Sequence, residues 1–244
     1  MNNIKHQLWK ISLSMASIYG HDMDFEVFQT YKGFWNLVNT NCIDFTDDIL
    51  YGVPQTNSKL VSINNIDKAK GFLTKVFNIN SPHDMKVRLD GLSKGSSVRK
   101  IFDAKRKIYL ALPFKERTSL TDPKKQGGSD AHQYQIIDNY ESLLPQAGVL
   151  AYDIANYISI CRLGGFIGYI KPDEMMELIN EPAALAQKSY KSFEEFGYAS
   201  TAGILIYTGK IEYDEYRNYF ERLNKMLTHS DSYWRNLEWG ISLQ

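Results

Sequence analysis

The chain has 244 residues, 43% of them hydrophobic and 23% charged, and its 28 basic and 28 acidic residues cancel to a formal net charge of +0. These are ordinary globular proportions, which exclude general disorder, and no run of roughly 18 apolar residues offers a membrane span. Ser12, Ser14 and Ser17 break the apolar stretch at the N-terminus, unlike a signal peptide. Cys42 and Cys161 are too few for a disulfide framework, so a cytoplasmic protein is expected.

Leu8, Ile11, Leu13, Met15, Ile18 and Tyr19 recur at three- and four-residue steps, one face of a helix. Residues 20–60 read as an irregular, packed, aromatic-rich segment. Gly20, Gly33, Gly52 and Pro54 punctuate it, and Phe25, Phe28, Tyr31, Phe34 and Trp35 crowd it. A helical stripe resumes from Asn64 to Phe77 through Ile66, Ala69, Phe72, Leu73 and Val76. Ser81-Pro82 predicts a capped helix start, because Pro82 at the first position lacks only an N–H that has no partner there. Gly95 is the expected stop, and Ser96 or Ser97 caps a further helix to about Leu110. Pro113, Pro123 and Gly127-Gly128 predict a loop over 113–130.

The strongest helical segment begins near Gly148, with Val149, Leu150, Ile154, Tyr157, Ile158 and Cys161 as a largely buried face. Pro172 opens the next helix, with Asp173, Glu174 and Glu177 near its positive end. Ser192-Phe193-Glu194-Glu195 matches a capping box. The helix after it passes Ala199, Gly203 and Ile206 to Gly209, and Tyr213 to Met226 forms one more. IYLAL (108–112) and ILIY (204–207) are strand-like, but both sit inside stronger helical patterns. The prediction is all-α: a single compact multi-helix domain over 1–244, with two lobes, 1–112 and 130–244, as the alternative.

Sequence motifs for chemistry are sparse. His21-Asp22-Met23-Asp24 is the nearest approach to a ligand cluster, short of the three or four convergent ligands that zinc needs. No metal and no cofactor is expected. Gly91 to Ser97 is glycine- and serine-rich but lacks the order and the preceding strand of a phosphate loop, and reads as one helix ending and another starting. Charge is unevenly spread. Lys86 to Lys125 holds 12 Lys/Arg against four acids, whereas Lys171 to Glu221 holds five basic and ten acidic residues. Such a dipolar chain can steer a charged partner, although solvated helix faces give the same pattern. Asp153 and Arg162 are the charged residues of the most apolar helix. With Tyr169, Gln187, Ser192 and Glu195 they form a candidate polar pocket, and structural hydrogen bonding is the plainer reading of the same residues.

From Leu150 to Gly209 the chain resembles the bacterial domain-of-unknown-function family numbered 1266. Leu150-Ala151-Tyr152-Asp153 is similar to its L-A-[WY]-D. Cys161-Arg162-Leu163-Gly164 followed by Gly168-Tyr169-Ile170 resembles its R-x-G-x-x-x-G-Y segment. Glu174 stands where the family's next helix carries an acid, and Gln187 with Ser192 to Phe196 resembles its Q…S-W-E-E-F stretch. Gly203, Tyr207 and Gly209 fit the G-R-x-x-W-x-G close, and Ser232-Tyr233-Trp234 with Leu237 and Trp239 resembles the S-P-W…L-P-W tail. A weaker similarity covers Leu8-Trp9, Leu13 and Leu50 to Pro54. Ile204 stands where the pattern has arginine, and Tyr207 where it has tryptophan. The resemblance implies a helical bacterial protein and brings no catalytic residues.

The expected function is a protein-binding module: an immunity protein that neutralises a cognate bacterial toxin, of which a nuclease is one kind, by direct binding. An acidic surface suits a cationic active site, and the candidate partner-binding residues are Asp173, Glu174, Glu177, Glu181, Glu212, Asp214 and Glu215. The alternatives are an enzyme or ligand-binding protein using the pocket around Asp153 and Arg162, and RNA binding through Lys94, Arg99, Lys100, Lys105, Arg106 and Lys107. Neither nucleic acid nor membrane is the expected partner.

Overall fold

The computed structural model describes residues 4–18, 20–53, 59–209 and 213–243. Among them are helices and turns and no strand. In chain order the helices are α1 (Ile4–Ser12), α2 (Gly20–Thr30), α3 (Phe34–Asn39), α4 (Asp47–Tyr51), α5 (Lys59–Phe77), α6 (Pro82–Ser93) and α7 (Ser97–Ala111). They continue as α8 (Phe114–Thr121), α9 (Gly128–Tyr140), α10 (Leu150–Phe166), α11 (Pro172–Ser189), α12 (Phe193–Thr208), α13 (Tyr213–Thr228) and α14 (Tyr233–Asn236). A short 3-10 turn, Leu13–Ala16, follows α1. The strand-like pieces at 108–112 and 204–207 fall at the ends of α7 and α12.

Helix starts follow the side-chain chemistry of their caps. Ser81 Oγ accepts from Asp84 N at 3.1 Å, and Ser96 Oγ from Arg99 N at 3.3 Å. Ser192 Oγ accepts from Glu195 N at 3.0 Å, while Glu195 Oε2 reaches back to Lys191 N at 2.6 Å, one residue before the cap.

Two expectations are corrected. Residues 20–60 are not irregular over the described part, which holds α2, α3 and α4. Gly33 (φ 72°) and Gly52 (φ 69°) adopt the left-handed conformation that bounds short helices, so they mark helix ends here. The 113–130 stretch likewise contains α8 and the start of α9. Pro113 and Gly127 stand immediately before these two helices, positions that leave the helical hydrogen bonds intact.

Everything is arranged around α10. Every residue of it except Tyr157 and Phe166 is buried, as a helix apolar on all sides requires. α4, α5, α6, α7, α11, α12 and the 3-10 turn all pack against it. Close approach to α12 depends on Gly203, where an added Cβ would lie 2.4 Å from Tyr152 Cβ. Far from that crossing, Trp9, Phe193, Trp234 and Trp239 form an aromatic cluster that joins the two chain ends, with Phe193 and Trp234 stacked at 5.2 Å. Trp234 Nε1 donates to Ser12 O at 3.1 Å, and Trp239 Nε1 to Tyr190 O at 2.9 Å.

Because the obstruction at Gly203 is a backbone-proximal carbon, it cannot rotate away. Gly203→Ala is expected to cost about 1–3 kcal/mol by overpacking, read as a lower urea midpoint at unchanged slope.

Candidate functional site

Arg162 projects from the last turns of α10 into a fully enclosed polar knot. Nη2 and Nη1 meet the two carboxylate oxygens of Asp24 at 2.7 and 2.9 Å. Nη1 also donates to Ser14 Oγ at 2.7 Å, Nε to Leu50 O at 2.9 Å, and Nη2 to Ile49 O at 3.1 Å. All five guanidinium N–H groups are thereby used. Burial pushes the Asp24 carboxyl up while Arg162 pulls it down. Burial also disfavours the guanidinium charge, but Asp24 outweighs it and the net direction is upward. For Asp24 burial is the larger effect and the net direction is upward, with the bidentate Arg162 contact opposing it. Gly52 is required beside it, since a Cβ there would lie 2.6 Å from Arg162 Nη2.

The six residues of the candidate polar pocket do not converge. Arg162 is saturated in that knot. Tyr169 Oη donates to Asn80 O at 2.9 Å. Gln187 Nε2 ties down the C-terminal segment through Trp239 O at 2.7 Å and Ile241 O at 2.8 Å. Ser192 and Glu195 serve the cap of α12. Asp153 stands alone on the opposite side of α10, as nine residues at about 100° each require. Its Oδ2 accepts from Ser96 N at 3.2 Å, and its Oδ1 has no hydrogen-bond partner. Burial pushes the Asp153 carboxyl up, against the pull of Ser96 and of the Arg99 and Arg88 charges.

Asp153 opens onto a cleft. α6 and α11 form its walls and Tyr157, the mid-helix residue of α10 that escapes full burial, is shared by its two parts. The larger part is about 390 Å³, with Met85, Leu89, Ile170 and Leu178 as apolar lining and Lys86, Asp90 and Glu174 among its polar residues. A recess of about 80 Å³ adjoins it, lined by Leu92, Ile154, Leu185, Asp153 and Glu181 among others. Tyr157 and Ser93 line both. Burial, with Cys161 and Glu181 nearby, pushes the Tyr157 hydroxyl up to about 12. Cys161 is buried and its thiol is also pushed up, by burial and then by Glu174.

Of the partner-binding candidates, Asp173, Glu174, Glu177 and Glu181 are exposed along α11. None of the four forms an ion pair with a described residue. Glu212 and the side chains of Asp214 and Glu215 lie outside the described residues, as do the side chains of His21, Asp22 and Met23. Among the described residues, no group of three or more His, Cys, Asp or Glu side chains is placed to hold a metal ion, and no helix is long and apolar enough to cross a membrane.

A family described as "Protein of unknown function (DUF1266)" matches residues 73–239, more than half of the chain. The chain belongs to this family. No curated protein and no solved structure matches it. Within the family segment, Ile204, which stands where the resemblance has arginine, is buried in α12, and Tyr207 beside Tyr152 is 48% exposed.

From the sequence, structural hydrogen bonding is the plainer reading of Arg162 and a polar pocket the alternative, while Asp24 falls in a loose histidine–aspartate group. The signal for the pairing was a lone base, Arg162, in a largely apolar helix, which needs an acid from elsewhere in the chain. The periodicity places Tyr157 on a largely buried face, and the structure leaves it partly exposed at the cleft.

Two outcomes follow from this geometry. Arg162→Met leaves Asp24 buried and uncompensated, and is expected to cost about 3–5 kcal/mol, whereas the double variant Arg162→Met, Asp24→Leu recovers most of that loss; thermal unfolding of the four members of the cycle measures it. For Asp153 the native carboxyl holds its proton to higher pH than the unfolded one, so native stability falls as pH rises through that window. Asp153→Asn is therefore expected to stabilise the fold by about 1 kcal/mol at pH 7, an advantage that fades on acidification and is gone below the ordinary aspartate value of 3.8, checked by urea unfolding at stepped pH.

Proposed function

We propose that this chain is a binding module for a cationic protein partner, and specifically a cytoplasmic immunity protein that neutralises a cognate bacterial toxin. The observation that carries the reading is the surface of α11, where Asp173, Glu174, Glu177 and Glu181 are exposed and unpaired among the described residues. A wall of uncompensated carboxylates favours fast capture of a basic surface and suits the cationic active site of a nuclease.

The basic stretch lends less support to RNA binding, because much of its charge is spent within the fold. Lys94 pairs with Asp90 at 2.7 Å, Arg99 with Asp103 at 3.7 Å, Lys105 with Asp130 at 3.1 Å and Arg106 with Glu141 at 2.8 Å. Lys100 and Lys107 are the members of that set in no such pair. An enzyme built on Asp153, Arg162, Tyr169 and Glu195 has less support too, since these side chains serve separate structural contacts.

The test is calorimetry against the product of the adjacent gene. Binding no tighter than to an unrelated basic protein ends the proposal. The Asp173→Lys, Glu177→Lys double variant is expected to slow association about tenfold or more at low salt with helicity unchanged, the effect shrinking as salt rises.

A further inference from the structure

The cleft between α6 and α11 shares Glu174 and Glu181 with the proposed partner-binding face and adds apolar lining, Tyr157 and Asp153, which that face does not use. It is elongated by its construction, since two helices form its walls and Tyr157 joins its larger part to the inner recess. Its lining is apolar, through Met85, Leu89 and Leu178, and its charge is mostly acidic: Glu174 and Glu181 stand against one base, Lys86, and Asp90 is already paired with Lys94. Glu174 and Glu181 lie seven residues apart on one helix, so their stems are separated by roughly 10 Å along its axis. A second observation is independent of this acidic pair. Asp153, 2% exposed, lines the inner recess with Oδ1 lacking any partner, and a buried acceptor left so is costly.

We propose that this cleft binds a linear aliphatic polyamine. The methylene segments lie along Leu89 and Leu178, removing apolar surface from water. Ammonium groups sit at Glu174 and Glu181, beside Tyr157, which lines both parts of the cleft, and an N–H donor lies in the recess that Asp153 lines. Arg88 and Arg99 act on Asp153 from α6 and α7, so Asp153 supplies an acceptor while Glu174 and Glu181 supply the charge match. A flexible chain with cations on the order of 10 Å apart matches the spacing of the acids.

The experiment is titration calorimetry of the full chain with spermidine, with 1,3-diaminopropane as the short diamine and 1,8-octanediol as the uncharged chain. Saturable one-to-one binding of spermidine, at least about tenfold tighter than either control, is the expected result. Glu181→Gln and Glu174→Gln each weaken it about tenfold, while Glu177→Gln, on the same helix but outside the cleft, leaves it unchanged. No saturable heat with spermidine, equal binding of the octanediol, or an equal loss at Glu177→Gln overturns the proposal, the last by showing diffuse charge attraction. These titrations use no protein partner, so their failure leaves the immunity reading standing, and failure to bind the toxin leaves the cleft standing.

Discussion

A single guanidinium gathers four segments of this protein. Arg162 on α10 spends its five donors on the Asp24 carboxylate of α2, the Ser14 hydroxyl of the 3-10 turn, and the Ile49 and Leu50 carbonyls of α4. A buried ion pair is weak as a source of net stability, because two charges leave water to form it. Its strength is geometric: with every donor used, a shift of any one segment leaves a buried polar group unmatched. The family match begins at residue 73, yet every partner of Arg162 precedes it. The N-terminal helices therefore complete the polar chemistry of a helix inside the matched segment.

That constraint decides what the rest of α10 can do. One side of the helix is closed by the Arg162 knot and another by the Gly203 contact with α12. Tyr157 and Asp153 look instead toward α6 and α11, where the packing leaves a cleft. Charge is partitioned the same way. Around α7, Arg99, Lys105 and Arg106 meet Asp103, Asp130 and Glu141, so part of the basic charge of the sequence is used in cross-links within the fold. Along α11 the acids face solvent without such partners. Both proposed roles, capture of a cationic protein and binding of a polyamine, draw on this asymmetry.

Local features were legible in the residues themselves. The caps at Ser81, Ser96 and Ser192, the stop at Gly209 and the apolar character of α10 rest on interactions within a few residues. The same local logic misread 20–60 and 113–130, because glycine and proline carry two meanings. At Gly33, Gly52, Pro113 and Gly127 they bound short helices, and helices that short are held by tertiary packing rather than by their own propensity.

The candidate site divides along the same line. The sequence by itself determined that α10 is buried, that Asp153 and Arg162 lie on opposite sides of it, and that acids collect on α11, since each of these follows from helical periodicity and composition. Only the tertiary structure decided that Arg162 belongs to Asp24, 138 positions away, and that Asp153 keeps a free oxygen beside a cleft. Those outcomes depend on which distant backbone carbonyls and side chains arrive at each face of the helix, and no local pattern records the meeting of segments so far apart in the chain.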